Sequence, residues 1–289
     1  MAKLNTYELV TNRIIELLEA GTIPWRKPWS GKQGIPTSAA TGKRYRGINL
    51  FLLHVMGYEQ PNWITYNQAK KLGGQVRKGE HGSKVVFWKW LDITDKETGE
   101  PKQIPLLRHY TVFNVEQCDD LPARCITDLK IETFEHDAIA EAETILNDCP
   151  AFQVKQGSKA CYTPGSDAIT MPPVERFKTR EEYYSTLFHE LVHWTAKRVN
   201  RETGPIAERT KYAFEELVAE MGAAMLCGLC GIVDRTVDNS AAYVAGWLKA
   251  LRDDKQLVIK AAAAAQKAVD YITNATFDDA TKQPETVTA

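Results

Sequence analysis

The sequence predicts an α+β protein of two domains, and three observations support this reading. Residues 1–90 contain 14 Lys and Arg but 5 Asp and Glu, whereas the remainder contains 22 and 32. The first part also alternates short helical patterns with β-rich segments, and the second part is mainly helical around a His-Glu-x-x-His motif. Regions of opposite charge suggest domains with different partners. We expect a first domain at residues 1–122, a linker at 123–133, a second domain at 134–275 and a flexible tail at 276–289.

Composition limits the class of protein. The apolar fraction of 44% and the charged fraction of 25% are typical of a soluble globular chain. The longest uncharged apolar run covers residues 221–233, which is too short to span a bilayer. The first residues turn polar before any apolar stretch develops, and six scattered cysteines form no disulfide-like framework. The sequence therefore predicts a cytoplasmic protein with no membrane partner.

The first domain is expected to hold a small antiparallel sheet and three short helices. Apolar residues at helical spacing predict a helix at 7–19, which Gly21 would end. Short helices are predicted at 50–56 and 67–72. β-branched and aromatic residues predict strands at 63–66, 83–90 and 109–115, the last two joined by a charged hairpin tip at 95–100.

The second domain is expected to combine a few short strands with long helices. A helix is predicted at 135–147, strands at 152–155, 160–162 and 168–171, and helices near 240–251 and 255–273. The His-Glu-x-x-His motif is typical of zinc peptidases, which carry it on a helix. These enzymes commonly place an edge strand beside that helix to receive an extended chain. Residues 168–171 are the candidate for it, and an ordinary sheet edge is an equally good interpretation.

The metal motif itself is predicted to lie on a helix. Thr179 and Glu182 form a capping box, so a helix should begin there and continue to about Lys197. Apolar residues at helical spacing form its expected buried stripe, consisting of Tyr184, Leu187, Leu191 and Trp194.

On that helix, His189 and His193 lie four residues apart and therefore on one face. Two imidazoles in this arrangement can bind one divalent metal ion, zinc in the first place and manganese as the alternative. Glu190 stands close enough to hold the water that such a metal polarises, and is the candidate general base. Tyr162 and Tyr212 are weak candidates for stabilising an oxyanion.

A third ligand is expected from a later helix. The sequence after His193 has no Gly-x-x-His continuation, which excludes the metzincin pattern. Glu216 and Glu220 lie four apart among apolar residues, where carboxylates are costly to bury without a partner. We assign Glu216 to the metal and Glu220 to the shell behind the ligands, with the reverse assignment left open. Glu215 is expected to face solvent.

The basic first part is also rich in aromatics, with eleven of the 27 in the chain and five of its seven Trp within residues 1–90. This combination suits single-stranded nucleic acid, because cations follow the phosphates and rings stack on bases. About half of these aromatics are expected to belong instead to the core. The candidate contact residues are Trp25, Arg26, Lys27, Trp29, Lys43, Arg44, Tyr45, Arg46, Arg77 and Lys78.

Several of these motifs occur together in a recognisable combination. They are Ile-Pro-Trp-Arg-Lys-Pro-Trp at 23–29, Tyr-Arg-Gly-Ile-Asn at 45–49, Trp-Ile-Thr-Tyr at 63–66, the glycine pair 79 and 82, the metal motif, and Glu-Glu-Leu-Val-Ala-Glu at 215–220. The joint pattern resembles the ArdC antirestriction family, which conjugative plasmids carry and which is related to the N-terminal part of TraC-type primases. The resemblance covers nearly the whole chain. It implies a single-stranded DNA-binding domain, a zincin-like metallopeptidase domain of gluzincin type, and protection of incoming plasmid DNA from host restriction.

Two functions of different classes follow. The first is a metal-dependent peptidase, delivered on DNA, that cuts or disables a host restriction enzyme or another protein target in a bacterial recipient or donor cell. The second is a non-catalytic protein that binds single-stranded DNA or a restriction enzyme, in which the metal only braces the fold. A nuclease or primase accessory fits less well, because two His and a Glu suit peptide hydrolysis better than two-metal phosphoryl transfer.

Overall fold

The structure, a computed structural model, describes residues 5–26, 34–94, 101–128, 138–202, 209–232 and 241–275. It combines helices with small sheets, which confirms the α+β class. Among these residues the α-helices are α1 (Thr6–Glu19), α2 (Ile48–His54), α3 (Tyr66–Lys71), α4 (Ala138–Asp148), α5 (Arg180–Trp194), α6 (Arg209–Cys230), α7 (Ala241–Asp253) and α8 (Leu257–Ile272). The predicted hairpin tip at 95–100 and the start of the helix predicted at 135 lie outside the described residues.

The strands of the described residues form three small sheets. They are β1 (Thr37–Ser38), β2 (Asn62–Ile64), β3 (Gln75–Val76), β4 (Ser83–Thr94), β5 (Pro101–Asn114), β6 (Cys118–Asp119), β7 (Gln153–Gln156), β8 (Cys161–Thr163) and β9 (Ala168–Met171). The first sheet has the order β1-β2-β5-β4, and a second pairs β3 with β6. The third has the order β7-β9-β8, with β7 parallel and β8 antiparallel to β9.

The third sheet corrects the expected edge strand. Residues 168–171 form β9, which is the central strand, and its Ala168, Ile169 and Met171 are buried. The sequence pattern could not exclude this, since a short apolar run fits a central strand as well as an edge. Helix α5 contacts both β8 and β9. Of these two strands, β8 is the one at an edge of the sheet.

One large hydrophobic core joins the first and last parts of the chain. Helices α1 and α2 pack against α7 and α8, and the Trp25 ring lies between Phe51 of α2 and Trp247 of α7 at centroid distances of 6.5 and 5.4 Å. The four residues predicted as the buried stripe of α5 are all within this core. A smaller cluster of Leu53, Trp63, Val85 and Val112 lies under the first sheet.

The metal-motif helix begins where predicted, with Thr179 as its N-cap, but it ends earlier. The Thr179 hydroxyl accepts a hydrogen bond from the Glu182 N–H at 3.2 Å, as expected. The Glu182 carboxylate, however, accepts from the Lys178 N–H at 2.8 Å. In a capping box the Glu182 carboxylate would accept from the N–H of Thr179, so this bond is shifted by one residue. Helix α5 ends at Trp194, and turns follow it instead of the predicted helix to Lys197.

No helix within the described parts of the chain combines the length and the apolarity that crossing a bilayer requires.

Close packing of α5 on α6 sets the distance between the two halves of the predicted metal site. Gly222 of α6 faces Val192 of α5, so a Cβ at position 222 would lie 2.7 Å from Val192 Cγ2 and 3.0 Å from Cγ1. Val192 is buried and its β-branched side chain has little rotamer freedom. A larger residue at 222 would therefore push the helices apart.

We expect Gly222→Ala to lower the free energy of unfolding by about 1–2 kcal/mol, because overpacking outweighs the helix propensity of Ala. Gly246→Ala is the matched control. Gly246 is an exposed helical glycine with open space around its Cβ position, so the change should leave stability unchanged or raise it by up to about 1 kcal/mol. Urea denaturation of both variants measures the effect. Equal stability of the two would contradict a close α5–α6 contact.

Candidate metal centre

Helix α5 brings the two motif histidines onto one face, as their spacing predicts. The Nε2 atoms of His189 and His193 lie 3.2 Å apart, and the ring centroids 4.8 Å apart. Both side chains retain limited solvent access, 18% and 16% exposed. The two nitrogens can therefore bind one ion without a change in the helix.

Helix α6 adds a carboxylate to the pair. Glu216 Oε2 lies 3.8 Å from His189 Nε2, and Glu216 Oε1 lies 3.6 Å from His193 Nε2. Neighbouring ligands of a tetrahedral ion with bonds of about 2.0–2.2 Å are roughly 3.3–3.6 Å apart. The three residues are also the group among the described side chains whose ligand atoms all lie within 4.8 Å of one another. Two imidazoles and one carboxylate in this geometry fit a divalent ion.

Glu190 is buried next to these ligands and is held by the sheet. Its Oε2 accepts a hydrogen bond from the backbone N–H of Tyr162, on edge strand β8, at 2.7 Å. Burial raises the pKa of Glu190, and the Glu216 carboxylate adds to the shift, while His193 and the Tyr162 N–H oppose it. Strand β8 thus fixes the orientation of the candidate general base.

The expectation for Glu215 is wrong. Glu215 is 6% exposed, and its Oε1 lies 3.0 Å from His193 Nδ1. Consecutive carboxylates on α6 reach the two opposite nitrogens of one imidazole, with Glu216 at Nε2 and Glu215 at Nδ1. A spacing of four residues on α6 does not reveal this arrangement. The neighbouring carboxylate was the available signal.

Glu220 is also buried, at 4% exposed, but it does not belong to the three-ligand group. It lies one helical turn beyond Glu216, which is about 6 Å along the axis of α6. The carboxylate that contacts His193 Nδ1 is that of Glu215.

Arg201 completes the support of the site and was not predicted. Its side chain is 5% exposed and donates to both oxygens of Glu215 at 2.8 Å. It also donates to the Val192 carbonyl at 2.7 Å and to the Thr195 hydroxyl at 3.2 Å. Arg201 therefore ties the end of α5 to α6 behind the metal ligands. A lone Arg after a helix carries no sequence signal for this role.

The charges behind the ligands act on one another. Burial by itself would raise the pKa of Glu215, but hydrogen bonds from His193 and Arg201 outweigh it and lower the pKa. Burial would lower the pKa of His193, but the Glu215 hydrogen bond and the nearby carboxylates raise it. Glu215 therefore stays ionised and can accept a hydrogen bond from the Nδ1–H of His193, which leaves Nε2 as the ligand atom.

Tyr162, one of the two weak oxyanion candidates, takes part in a second cluster beside the site. Its hydroxyl donates to Asp167 Oδ1 at 2.8 Å, and Arg198 donates to both oxygens of Asp167 at 3.1 and 2.7 Å. The Arg198 guanidinium lies 3.5 Å from the centroid of the Trp194 ring at the end of α5. This cluster fastens the β8–β9 turn to α5. The other candidate, Tyr212, is half-buried near the start of α6.

The predicted nucleic-acid contacts divide into core and surface residues. Trp25 is 0% exposed, so the prediction that it stacks on bases is wrong, and it belongs to the aromatics expected in the core. Tyr45 is half-buried, and burial raises its pKa to about 12. Lys27, Trp29 and the side chain of Arg26 lie outside the described residues.

The predicted cations also differ from one another. Lys43, Arg44 and Lys78 are exposed. Arg46 instead forms an ion pair with Asp270 of α8. Arg77 is paired with Glu80 at 3.0 Å and with Asp119 at 3.5 Å, so much of its charge is already compensated.

Comparison with known proteins agrees with this geometry. Residues 4–113 match the family described as the N-terminal domain of anti-restriction factor ArdC, and residues 140–264 match a zincin-like metallopeptidase family. The crystal structure of the antirestriction protein ArdC from plasmid R388 with Mn(II) bound is 42% identical, with a TM-score of 0.77, covering 95% of this chain and 100% of that one. The metal-free structure of that protein gives a TM-score of 0.76.

A curated relative is much longer. A DNA primase TraC of Escherichia coli is 38% identical over 290 residues, covering 92% of this chain. The chain spans 27% of the length of that primase.

We expect Glu215→Gln to weaken divalent-metal binding by about 10–100-fold, because the hydrogen-bond acceptor of a ligand His loses its charge. Glu220→Gln is the comparison variant on the same helix, since Glu220 is equally buried but lies outside the three-ligand group, and it should cost less affinity than Glu215→Gln. Isothermal titration with zinc and manganese measures both. If Glu220→Gln lost affinity and Glu215→Gln kept it, the original assignment of Glu220 would be right.

We also expect a pH-dependent stabilisation by Asp167. Hydrogen bonds from Arg198 and Tyr162 lower its pKa to about 2, against about 3.9 in an unfolded chain. The ionised carboxylate therefore stabilises the fold fully above about pH 4, and this contribution is lost as the pH falls towards 2. Asp167→Asn should lower the Tm at pH 7, and the difference from wild type should close between about pH 4 and 2.

Asp120→Asn is the control for this pH series. Both aspartates have a left-handed backbone, with φ of 49° at Asp167 and 58° at Asp120, and Asn tolerates it. Asp120→Asn should leave the Tm unchanged throughout. A constant Tm difference for Asp167→Asn from pH 7 to 2 would show that its charge does not stabilise the fold.

Proposed function

The chain belongs to the ArdC antirestriction family, and from this premise we propose that it binds single-stranded DNA and protects incoming conjugative plasmid DNA from host restriction. We further propose that a metal centre of the metallopeptidase type contributes to this protection. The observation that carries the second step is the convergence of His189, His193 and Glu216 beside the buried Glu190. We place these activities in a first domain at 1–122 and a second at 134–275, in the bacterial cytoplasm.

The cofactor is a divalent metal ion, zinc or manganese. The donor set of two imidazoles and a carboxylate is the one used by gluzincin-type peptidases, and the R388 relative has a structure with Mn(II) bound. His189, His193 and Glu216 would hold the ion. When bound, it would supply Lewis-acid activation of a water and of a substrate carbonyl.

The protein residues around this centre have separable tasks. Glu190 would accept the proton of the attacking water and pass it to the leaving amine. The Tyr162 N–H holds one oxygen of Glu190, so the other oxygen would act as the base. Glu215 and Arg201 keep His193 in one orientation, which preserves the site before substrate arrives.

The second candidate function is non-catalytic. The basic and aromatic first part of the chain supports it, because binding single-stranded DNA or a restriction enzyme would require no peptide hydrolysis. In that case the metal would only join α5 to α6. Both candidates share the same metal ligands, so the general base distinguishes them.

We expect Glu190→Gln to abolish protection while the protein keeps its metal, since removing a general base costs about 10²–10⁴ in rate. Transfer of an unmodified conjugative plasmid into restricting and non-restricting recipients measures protection, and elemental analysis of purified protein measures the metal. His189→Ala should lose both. If Glu190→Gln protected as well as wild type while His189→Ala did not, the metal would be structural and the second candidate would stand.

A further inference from the structure

Among the side chains that the structure describes, the hairpin formed by β4 and β5 exposes Phe87 and Trp88 on opposite faces. Phe87 is 40% exposed and the next residue, Trp88, is 42% exposed. Side chains of neighbouring strand residues point to opposite sides of a sheet, and residues paired across two strands share a side. Phe87 is paired with Arg108, whereas Trp88 is paired with Leu107. The hairpin thus offers two different surfaces for comparison.

On the Phe87 side, three aromatic rings lie together. The Phe87 centroid is 6.3 Å from that of Tyr45 and 5.8 Å from that of Tyr110. Both tyrosines are half-buried against the small cluster under the sheet, and they fix the position of the more exposed Phe87. One exposed apolar side chain would be ordinary, but a contiguous group of three rings that reaches the solvent is a candidate interaction surface.

Exposed cations adjoin these rings along the chain and across the strand pair. Arg108 is exposed and lies directly across the strand pair from Phe87. Lys43 and Arg44 are exposed and immediately precede Tyr45 in the chain. In contrast, Arg46 forms an ion pair with Asp270, and Arg77 forms one with Glu80. These two cations therefore attract a phosphate less strongly.

We propose that this aromatic platform is where single-stranded DNA binds, which rests on the proposed DNA-binding function and gives it a location. It consists of Tyr45, Phe87, Tyr110, Lys43, Arg44 and Arg108. Unpaired bases expose their faces and can stack on such rings, while their phosphates meet the flanking cations. A duplex would offer the cations its phosphates but would keep its bases stacked inside. The platform therefore replaces the buried Trp25 as the base-stacking element.

The first test compares adjacent residues on opposite faces. Phe87→Ala should raise the Kd for a fluorescently labelled oligo-dT of about 20 nucleotides by about 10-fold, because one stacked base is lost. Trp88→Ala removes a larger and equally exposed ring from the other face and should stay within about 2-fold of wild type. Phe87→Leu keeps apolar bulk under the hairpin without a ring, and should weaken binding like Phe87→Ala even if the Ala variant folds poorly. Fluorescence anisotropy measures binding, and thermal melting confirms folding.

The second test concerns charge. Arg108→Gln should reduce the slope of log K against log salt by about 0.7, the value for one phosphate contact on a single strand. Lys84→Gln is its control, since Lys84 is exposed on the same hairpin but is paired with Thr111 on the Trp88 side. Its slope should equal that of wild type.

The outcomes separate the location from the function. If wild type binds oligo-dT and the Phe87 and Arg108 variants bind equally well, the platform is not the site, although DNA binding stands. Loss of binding in the Trp88 and Lys84 variants alone would assign the opposite face. If wild type itself does not bind oligo-dT, the proposed DNA-binding function fails and this inference with it.

Discussion

The candidate metal centre depends on how closely α5 and α6 approach. His189 and His193 belong to one helix and Glu215 and Glu216 to the other, so the ligand geometry is a property of the helix pair. The approach is possible because Gly222 leaves room for Val192. Arg201 then bonds to the α5 carbonyl of Val192 and to Glu215 of α6 at the same time. A buried carboxylate between Arg201 and His193 is costly to desolvate, and its two hydrogen-bonded partners offset that cost.

The residues that sequence could predict are those related by local periodicity. His189, Glu190 and His193 follow from helical spacing alone, and Glu216 follows from the cost of burying a carboxylate in an apolar helix. The role of Glu215 required knowledge of where His193 Nδ1 lies, which depends on the crossing of two helices. The central position of residues 168–171 required knowledge of strand order. Both are long-range properties, and neither changes the local pattern of residue types.

The N-terminal part and the metal-bearing part share a single core. Trp25, together with residues of α1 and α2, packs against α7 and α8, and α8 in turn contacts both α5 and α6. The Arg46–Asp270 ion pair joins the Tyr-Arg-Gly-Ile-Asn motif to α8. These contacts explain why Trp25 is a core residue and does not stack on bases. The Trp25 ring packs between the two parts of the chain and is wholly buried there.

Charge and aromatic content therefore predict a DNA-binding surface only when cations in ion pairs and rings in the core are left out. The charge of Arg46 is partly compensated by Asp270, and that of Arg77 by Glu80. Trp25 is buried in the core. Among the described residues, one face of the β4–β5 hairpin carries a smaller set of rings together with exposed cations. A strand face suits this purpose because its backbone is held rigidly by the neighbouring strand, so rings presented there lose little further entropy on binding. The alternation of side chains along a strand separates Phe87 from Trp88, so these neighbours in sequence lie on opposite faces of the sheet.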